Sequence, residues 1–209
     1  MTTLLDLQTR IATDLTRTDL TSQIASAVGD AIAFYGRQRF WFNVTRSQTF
    51  QTVVGQQAYT ASDLAAIPDI VKLDALFIPQ SQSIYPLDRY EPADFEVIAG
   101  GMSGGGKPRA FTYIDQSILL WPVPSAVYTL RPHMHYKLPA LVNPTDTNAW
   151  TTDAEELIRT HAKMLLYIDV LEDPDGMQRM AAKLTDLLAA LRSESSSRQS
   201  NGIIQGTDF

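Results

Sequence analysis

A glycine-rich stretch ending in lysine is the first place in this sequence where residue types and spacing could do chemistry. Residues 101–107 match the G-x-x-x-x-G-K spacing of a phosphate-binding loop. In such a loop the next residue is Ser or Thr, which binds magnesium, and a helix then begins. Here Pro108 follows Lys107, and the residues after it alternate as in a strand. The stretch therefore predicts a flexible connection between two elements and disfavours a nucleotide site.

Acidic residues late in the chain could supply the paired carboxylates of a glycoside hydrolase. Glu155 and Glu156 are adjacent, but Glu155 has capping-box spacing with Thr152, which gives it a structural role. A second acidic group surrounds a predicted helix connection and comprises Asp169, Glu172, Asp173 and Asp175. Acids at a helix connection are usually solvated. A cell-wall glycanase that uses these acids remains an alternative to a protein without catalysis.

The histidines and the absence of cysteine limit the metal chemistry of this chain. His133 and His135 share one face of a predicted strand, and His161 lies on a later helix. No motif supplies a further ligand, and no cysteine is present to form a disulfide or a thiolate site. The sequence predicts no catalytic residue, no cofactor and no metal.

The composition favours a globular protein that does not bind nucleic acid broadly. The chain has 209 residues, of which 44% are hydrophobic and 19% charged, and its net charge is −6. Broad binding to phosphate backbones requires a basic surface, and this negative net charge does not indicate one. Residues 151–209 hold ten acidic and six basic residues, which suits either a solvated helical face or a surface that lies near DNA and repels it. The sequence predicts no secretory signal and no membrane helix, and it suggests synthesis in a cytoplasm.

Hydrophobic periodicity divides the chain into four parts. Residues 1–40 carry apolar stripes typical of two helices, and residues 151–192 carry two more. Residues 41–150 contain short runs rich in β-branched and aromatic residues, interrupted by a short helix near residues 92–98. We therefore predict an α+β fold in which an antiparallel four-helix bundle carries an inserted antiparallel β region. Residues 193–209 are polar and predict a flexible C-terminal tail.

Several segments, taken in order, resemble one family of viral proteins. They are Phe40-Trp41-Phe42-Asn43, Gly55-Gln56-Gln57-Ala58-Tyr59, Tyr85-Pro86-Leu87, the stretch from Gly106-Lys107-Pro108 through "AFTYIDQSILLWPVPSAVYTLRPHMHY", and "NAWTTDAEELIRTHAKMLLY". With paired helices on both sides of a β region, they resemble the head-to-tail adaptor proteins of tailed bacteriophages. These connector or gatekeeper proteins include the tubular tail protein A type. The resemblance extends over nearly the whole chain.

The resemblance implies a structural protein of the virion neck. Proteins of this family form a twelvefold ring below the portal protein, extend the DNA channel and attach the tail or a nozzle or stopper protein. DNA would pass through without sequence-specific binding, and no membrane is involved. On this interpretation Ile203, Ile204 and Phe209 are portal-binding anchors on a polar tether, and Asp169, Glu172, Asp173 and Asp175 face the channel. A host-binding tail module is a further alternative.

Overall fold

The chain folds into two compact units, each with its own apolar core. The computed structural model describes residues 1–101 and 104–199. The helical unit comprises Met1–Phe42 and the chain from Leu138 onward, and the β unit comprises Asn43–Lys137. These boundaries differ from the 41–150 insertion expected from the sequence. The segment after Lys137 rejoins the helical core before the next long helix, through side chains such as Leu138 and Trp150.

Six helices lie within the described residues, and all but the third belong to the helical unit. They are α1 (Leu4–Leu15), α2 (Thr21–Tyr35), α3 (Pro92–Gly100), α4 (Ala149–Thr152), α5 (Glu155–Asp169) and α6 (Pro174–Gln199). The apolar stripes read from the sequence face the core of this unit, as Leu7 and Ile11 on α1 and Ile24 and Val28 on α2 show. None of the helices in the described part of the chain is long and apolar enough to cross a bilayer.

Local capping explains where two of these helices begin. The side chain of Thr3 accepts a hydrogen bond from the Asp6 backbone N–H at 3.1 Å, and the Asp6 carboxylate accepts one from the Thr3 N–H at 2.9 Å. The hydrogen bond from the Thr3 backbone holds the pKa of Asp6 below its usual value. The capping box expected at Thr152 and Glu155 is not formed. Asn148 instead caps the short helix α4, and α5 begins without a side-chain cap.

Helix α5 lies at the centre of the helical unit. Its buried residues include Leu157, Ile158, Ala162 and Leu166, and α1, α2, α4 and α6 all contact it. A chain of ion pairs joins α5 to α1, comprising Arg10–Glu155 (3.3 Å), Arg159–Glu155 (3.7 Å), Arg159–Asp14 (3.9 Å) and Lys163–Asp14 (2.7 Å). Because the Glu155 and Lys163 side chains are largely shielded from water, these pairs are screened less than exposed ones.

The β unit is built from ten short strands. They are β1 (Val44–Thr45), β2 (Phe50–Gln51), β3 (Ala58–Tyr59), β4 (Ile70–Pro79), β5 (Ile84–Arg89), β6 (Gly105–Gly106), β7 (Ala110–Ile114), β8 (Ser117–Trp121), β9 (Val123–Pro124) and β10 (Thr129–Tyr136). Eight form one sheet in the order β1-β10-β4-β5-β7-β8-β3, with β2 also paired to β10. Strands β6 and β9 form a separate pair. The predicted hairpin at Asp115-Gln116 joins β7 to β8, with both turn residues at positive φ.

The predicted fold, an antiparallel four-helix bundle with an inserted antiparallel β region, is wrong. The chain is α+β, with six helices in its described residues, and its β region is a second unit with its own buried core rather than an appendage to a bundle. Two strand pairs, β5–β7 and β6–β9, are parallel. The β5–β7 pairing follows from α3, because parallel neighbours need a crossover connection and α3 provides it.

His161 on α5 is buried in an aromatic corner of the helical unit. Its ring lies 5.1 Å from that of Phe34 and 5.3 Å from that of Tyr35, measured between centroids, and both contacts are edge-on. The imidazole Nδ1 is buried without a hydrogen-bond partner among the described residues. Burial lowers the pKa of His161 below its ordinary value of 6.5, because the charged form loses its hydration.

This burial predicts a pH-dependent stability of the helical unit. The unfolded chain binds the His161 proton more readily than the folded chain does. The contribution of neutral His161 is therefore complete above pH 6.5 and decreases as the pH falls below that value. We expect the denaturant midpoint, followed by far-ultraviolet circular dichroism, to decrease from pH 7.5 to 5.5.

His161→Phe keeps an aromatic ring in the corner and should reduce this decrease. His133→Phe is the matched control. It removes a histidine of the β unit whose ring centroid lies 4.6 Å from that of Phe77. Burial also lowers the pKa of His133, so this variant removes a contribution of the same sign and leaves that of His161 in place. An unchanged pH dependence in His161→Phe would contradict the prediction.

Candidate partner-binding surfaces

The glycine-rich stretch serves the β unit and lacks the geometry of a phosphate-binding loop in its described residues. Gly105 and Gly106 pair with Val123 and Pro124. The ammonium of Lys107 lies 3.9 Å from the centroid of the Tyr85 ring, a cation–π contact. Strand β7, and not a helix, follows at Ala110. The lysine that could have contacted a phosphate is thus held on an aromatic ring.

Two of the carboxylates considered for glycoside hydrolysis, Glu155 and Glu156, are held in ion pairs. Glu155 belongs to the chain of ion pairs between α1 and α5. Glu156 accepts a charge-assisted hydrogen bond from Lys183 on α6 at 2.6 Å, and this bond lowers the pKa of Glu156. A general acid needs a raised pKa, so the shift of Glu156 has the opposite sign. Within the described residues no group of histidines and acids could hold a metal ion.

The acidic residues between α5 and α6 lie together at one connection. Asp173 has a structural role, because its carboxylate accepts a hydrogen bond from the Gly176 N–H at 2.9 Å and caps α6, with Pro174 at the first helical position. Arg179 lies 3.9 Å from the same carboxylate. The other three acids, Asp169, Glu172 and Asp175, are exposed. Their charges face water and could repel or attract a charged partner.

The connection is tight because Gly176 lies against Tyr167. A Cβ atom on residue 176 would lie 2.7 Å from Tyr167 Cδ1 and 2.5 Å from Asp173 Oδ2, closer than such atoms approach. The missing side chain therefore allows α6 to fold back on α5 directly after the cap. From the sequence alone, this glycine indicates only a turn.

The C-terminal end of α6 rests on the segment that leaves α2. We call residues 193–199 the strap. The Trp41 backbone N–H donates to Ser195 Oγ at 3.3 Å, and the Arg198 guanidinium lies 3.9 Å from the centroid of the Trp41 ring. Helix α6 thus continues beyond Arg192, where we expected the flexible tail to begin. The predicted anchors Ile203, Ile204 and Phe209 lie outside the described residues.

Exposed apolar side chains on the β unit form a surface that the sequence did not predict. Val53, Val54 and Val127 are 52%, 60% and 60% exposed. Their two segments lie side by side, since the Thr52 N–H donates to the Tyr128 carbonyl at 2.9 Å. Exposed apolar groups of this kind often mark contact sites. Val53 and Val54 lie in a stretch that the sequence predicts to be a strand, and Val127 lies just before another, so only the structure reveals their exposure.

Comparison with known proteins identifies a family. The family model described as SU10 adaptor protein matches residues 2–205, which include both units. No curated protein matches the chain significantly. The match confirms the resemblance to bacteriophage adaptor proteins that the sequence suggested.

Replacement of Gly176 tests the packing at the acidic connection. We expect Gly176→Ala to lower the free energy of unfolding by about 1–3 kcal/mol, because Tyr167 or the Asp173 cap must move. This cost should exceed the gain in helix propensity of about 1 kcal/mol. Urea denaturation measures the difference.

Gly29 offers a matched control in the same unit. It is exposed on α2, and nothing lies within 4 Å of the position that its Cβ would take. Gly29→Ala should therefore stabilise the protein by up to about 1 kcal/mol. If both replacements stabilise the protein, the close approach at Gly176 does not limit the free energy of unfolding.

Proposed function

We propose that this chain, which belongs to the SU10 adaptor protein family of bacteriophage adaptors, binds beneath the portal protein as a ring. In this role it extends the DNA channel and provides the platform to which the tail attaches. The ring would contain twelve copies in the virion neck. The match to the family model over residues 2–205 is the observation that carries this proposal.

The construction of the chain supports a role in joining other proteins. Each unit buries its own apolar core, so each can present a surface without support from a ligand. One unit could bind the portal protein and the other the tail or a stopper protein. The contacts of Lys107, Glu155 and Glu156 within the chain argue against a nucleotide hydrolase or a glycanase at these positions.

The exposed acids between α5 and α6 suit a channel wall. Phosphate groups of passing DNA would be repelled by Asp169, Glu172 and Asp175, so the duplex could move without being bound. Asp173 contributes less, because its carboxylate caps α6 and lies near Arg179. The proposed channel surface therefore rests mainly on the three exposed acids.

Portal binding tests the proposed anchors. We expect the triple replacement Ile203→Ser, Ile204→Ser and Phe209→Ser to weaken cosedimentation with the portal protein by at least about tenfold, since buried apolar anchors dominate such interfaces. Val97→Ser with Val142→Ser is the control, because these side chains are 76% and 77% exposed in the described structure. A wild-type chain that does not associate with the portal of its own phage would contradict the proposal as a whole.

Charge reversal tests the channel surface. Lysine at positions 169, 172 and 175 should make assembled portal–adaptor particles retain DNA, with an affinity that falls steeply as salt rises. The control reverses three exposed acids on or beside α3, namely Glu91, Asp94 and Glu96, and changes the net charge equally. Equal DNA retention by the two triple variants would show that total charge matters and that the α5–α6 connection does not face the DNA.

A further inference from the structure

The strap is the part of α6 that passes beyond its partner helix. Helices α5 and α6 are joined by a short connection and run antiparallel, and the pair Lys183–Glu156 (2.6 Å) places residue 183 beside the start of α5. The helix then continues to Gln199. Leu187, Leu188 and Leu191 still contact the helical core. After Leu191 the contacts of α6 pass to the segment around Trp41.

Few contacts hold this end of the helix. Arg192 donates to the Gln38 side chain at 3.0 Å, just before the strap. Within the strap the contacts are the Trp41–Ser195 hydrogen bond and the stacking of Arg198 on the indole. Ser195 is only 5% exposed, so it is a docking point within an otherwise polar segment. Each contact of these kinds contributes only modestly to stability.

The strap would not hold a helical conformation by itself. Four of its residues, Ser193, Ser195, Ser196 and Ser197, are serines, which favour caps and turns over helix interiors. The Arg198–Glu194 pair (2.6 Å) is exposed and adds little. The strap continues a helix that is already nucleated, so its order depends on the low helix propensity of its serines and on its contacts with Trp41.

The docked state also carries a cost at Trp41. The indole Nε1–H is buried without a hydrogen-bond partner among the described residues. A buried donor without a partner loses the hydrogen bond that water would give it. This cost reduces the free energy by which the docked state is favoured, as in segments that open locally.

We infer that the strap is a releasable tether, closed on Trp41 in the free protein and opened when the chain binds its portal partner. Residues 193–199 span about 10 Å as a helix and about 23 Å when extended. Release would thus let the end of the strap reach about 13 Å further from the helical unit. This inference rests on the proposed function, because it assigns a partner to the tail.

Hydrogen exchange on the full-length free protein tests the closed state. We expect Ser195→Ala with Arg198→Ala to accelerate amide exchange in residues 193–199 by roughly five- to tenfold, with no change in the rest of α6. Arg179→Ala, which removes an exposed arginine from the same helix, is the control. Unchanged strap exchange, or equal acceleration along the whole of α6, would overturn the inference.

A locked strap tests the release. Ser193→Ala, Ser196→Ala and Ser197→Ala change exposed positions, raise helix propensity and leave the Trp41 contacts in place. This triple variant should exchange more slowly in the strap and bind portal roughly tenfold more weakly. Thr185→Ala, an exposed position on α6 before the strap, should not weaken binding.

Deletion of residues 200–209 separates this inference from the proposed function. If the deletion leaves portal binding intact, the tail is not the anchor, so release has no role in binding and the proposed assignment of the tail fails with it. If the deletion abolishes binding while the triple serine variant binds normally, the tail is supported as the portal anchor and the releasable tether is contradicted. Loss of binding in both variants supports both proposals.

Discussion

The burial of α5 is the constraint on which the helical unit depends. Its apolar side chains are covered by α1 and α2 from the start of the chain and by α6 from the end. Burial of one central helix by segments so far apart in sequence closes a loop that contains the entire β unit. The entropy of closing a loop rises only slowly with its length, so a loop of this size adds little more cost than a shorter one. The ion pairs between α1 and α5 reinforce the same closure.

The sequence predicted those parts of the structure that depend on local pattern. The apolar period gave the four long helices, and Thr3 with Asp6 gave the first cap, because both signals act within a few residues. The hairpin at Asp115 and the helix after Glu91 were also readable from local residues. The sequence therefore predicted most element types, although it misplaced some of their boundaries.

The features that were missed depend on contacts between distant residues. The serines at the end of α6 are polar and predict disorder, yet contacts with Trp41, which is distant in sequence, help to order them. Lys107 matches a phosphate-binding spacing, but a tyrosine distant in sequence holds it. The capping box expected at Thr152 and Glu155 is absent, because Thr152 ends the short helix α4, which Asn148 caps. At the candidate surfaces, sequence located the acids but could not separate the capping role of Asp173 from the exposure of its neighbours.

The polypeptide passes between the two units at only two places, after Phe42 and after Lys137. Since each unit has its own core, an exchange of the β unit between related viruses would need compatible joins at these two peptide bonds. Recombination could thus replace the surface offered to one neighbour while the other is preserved.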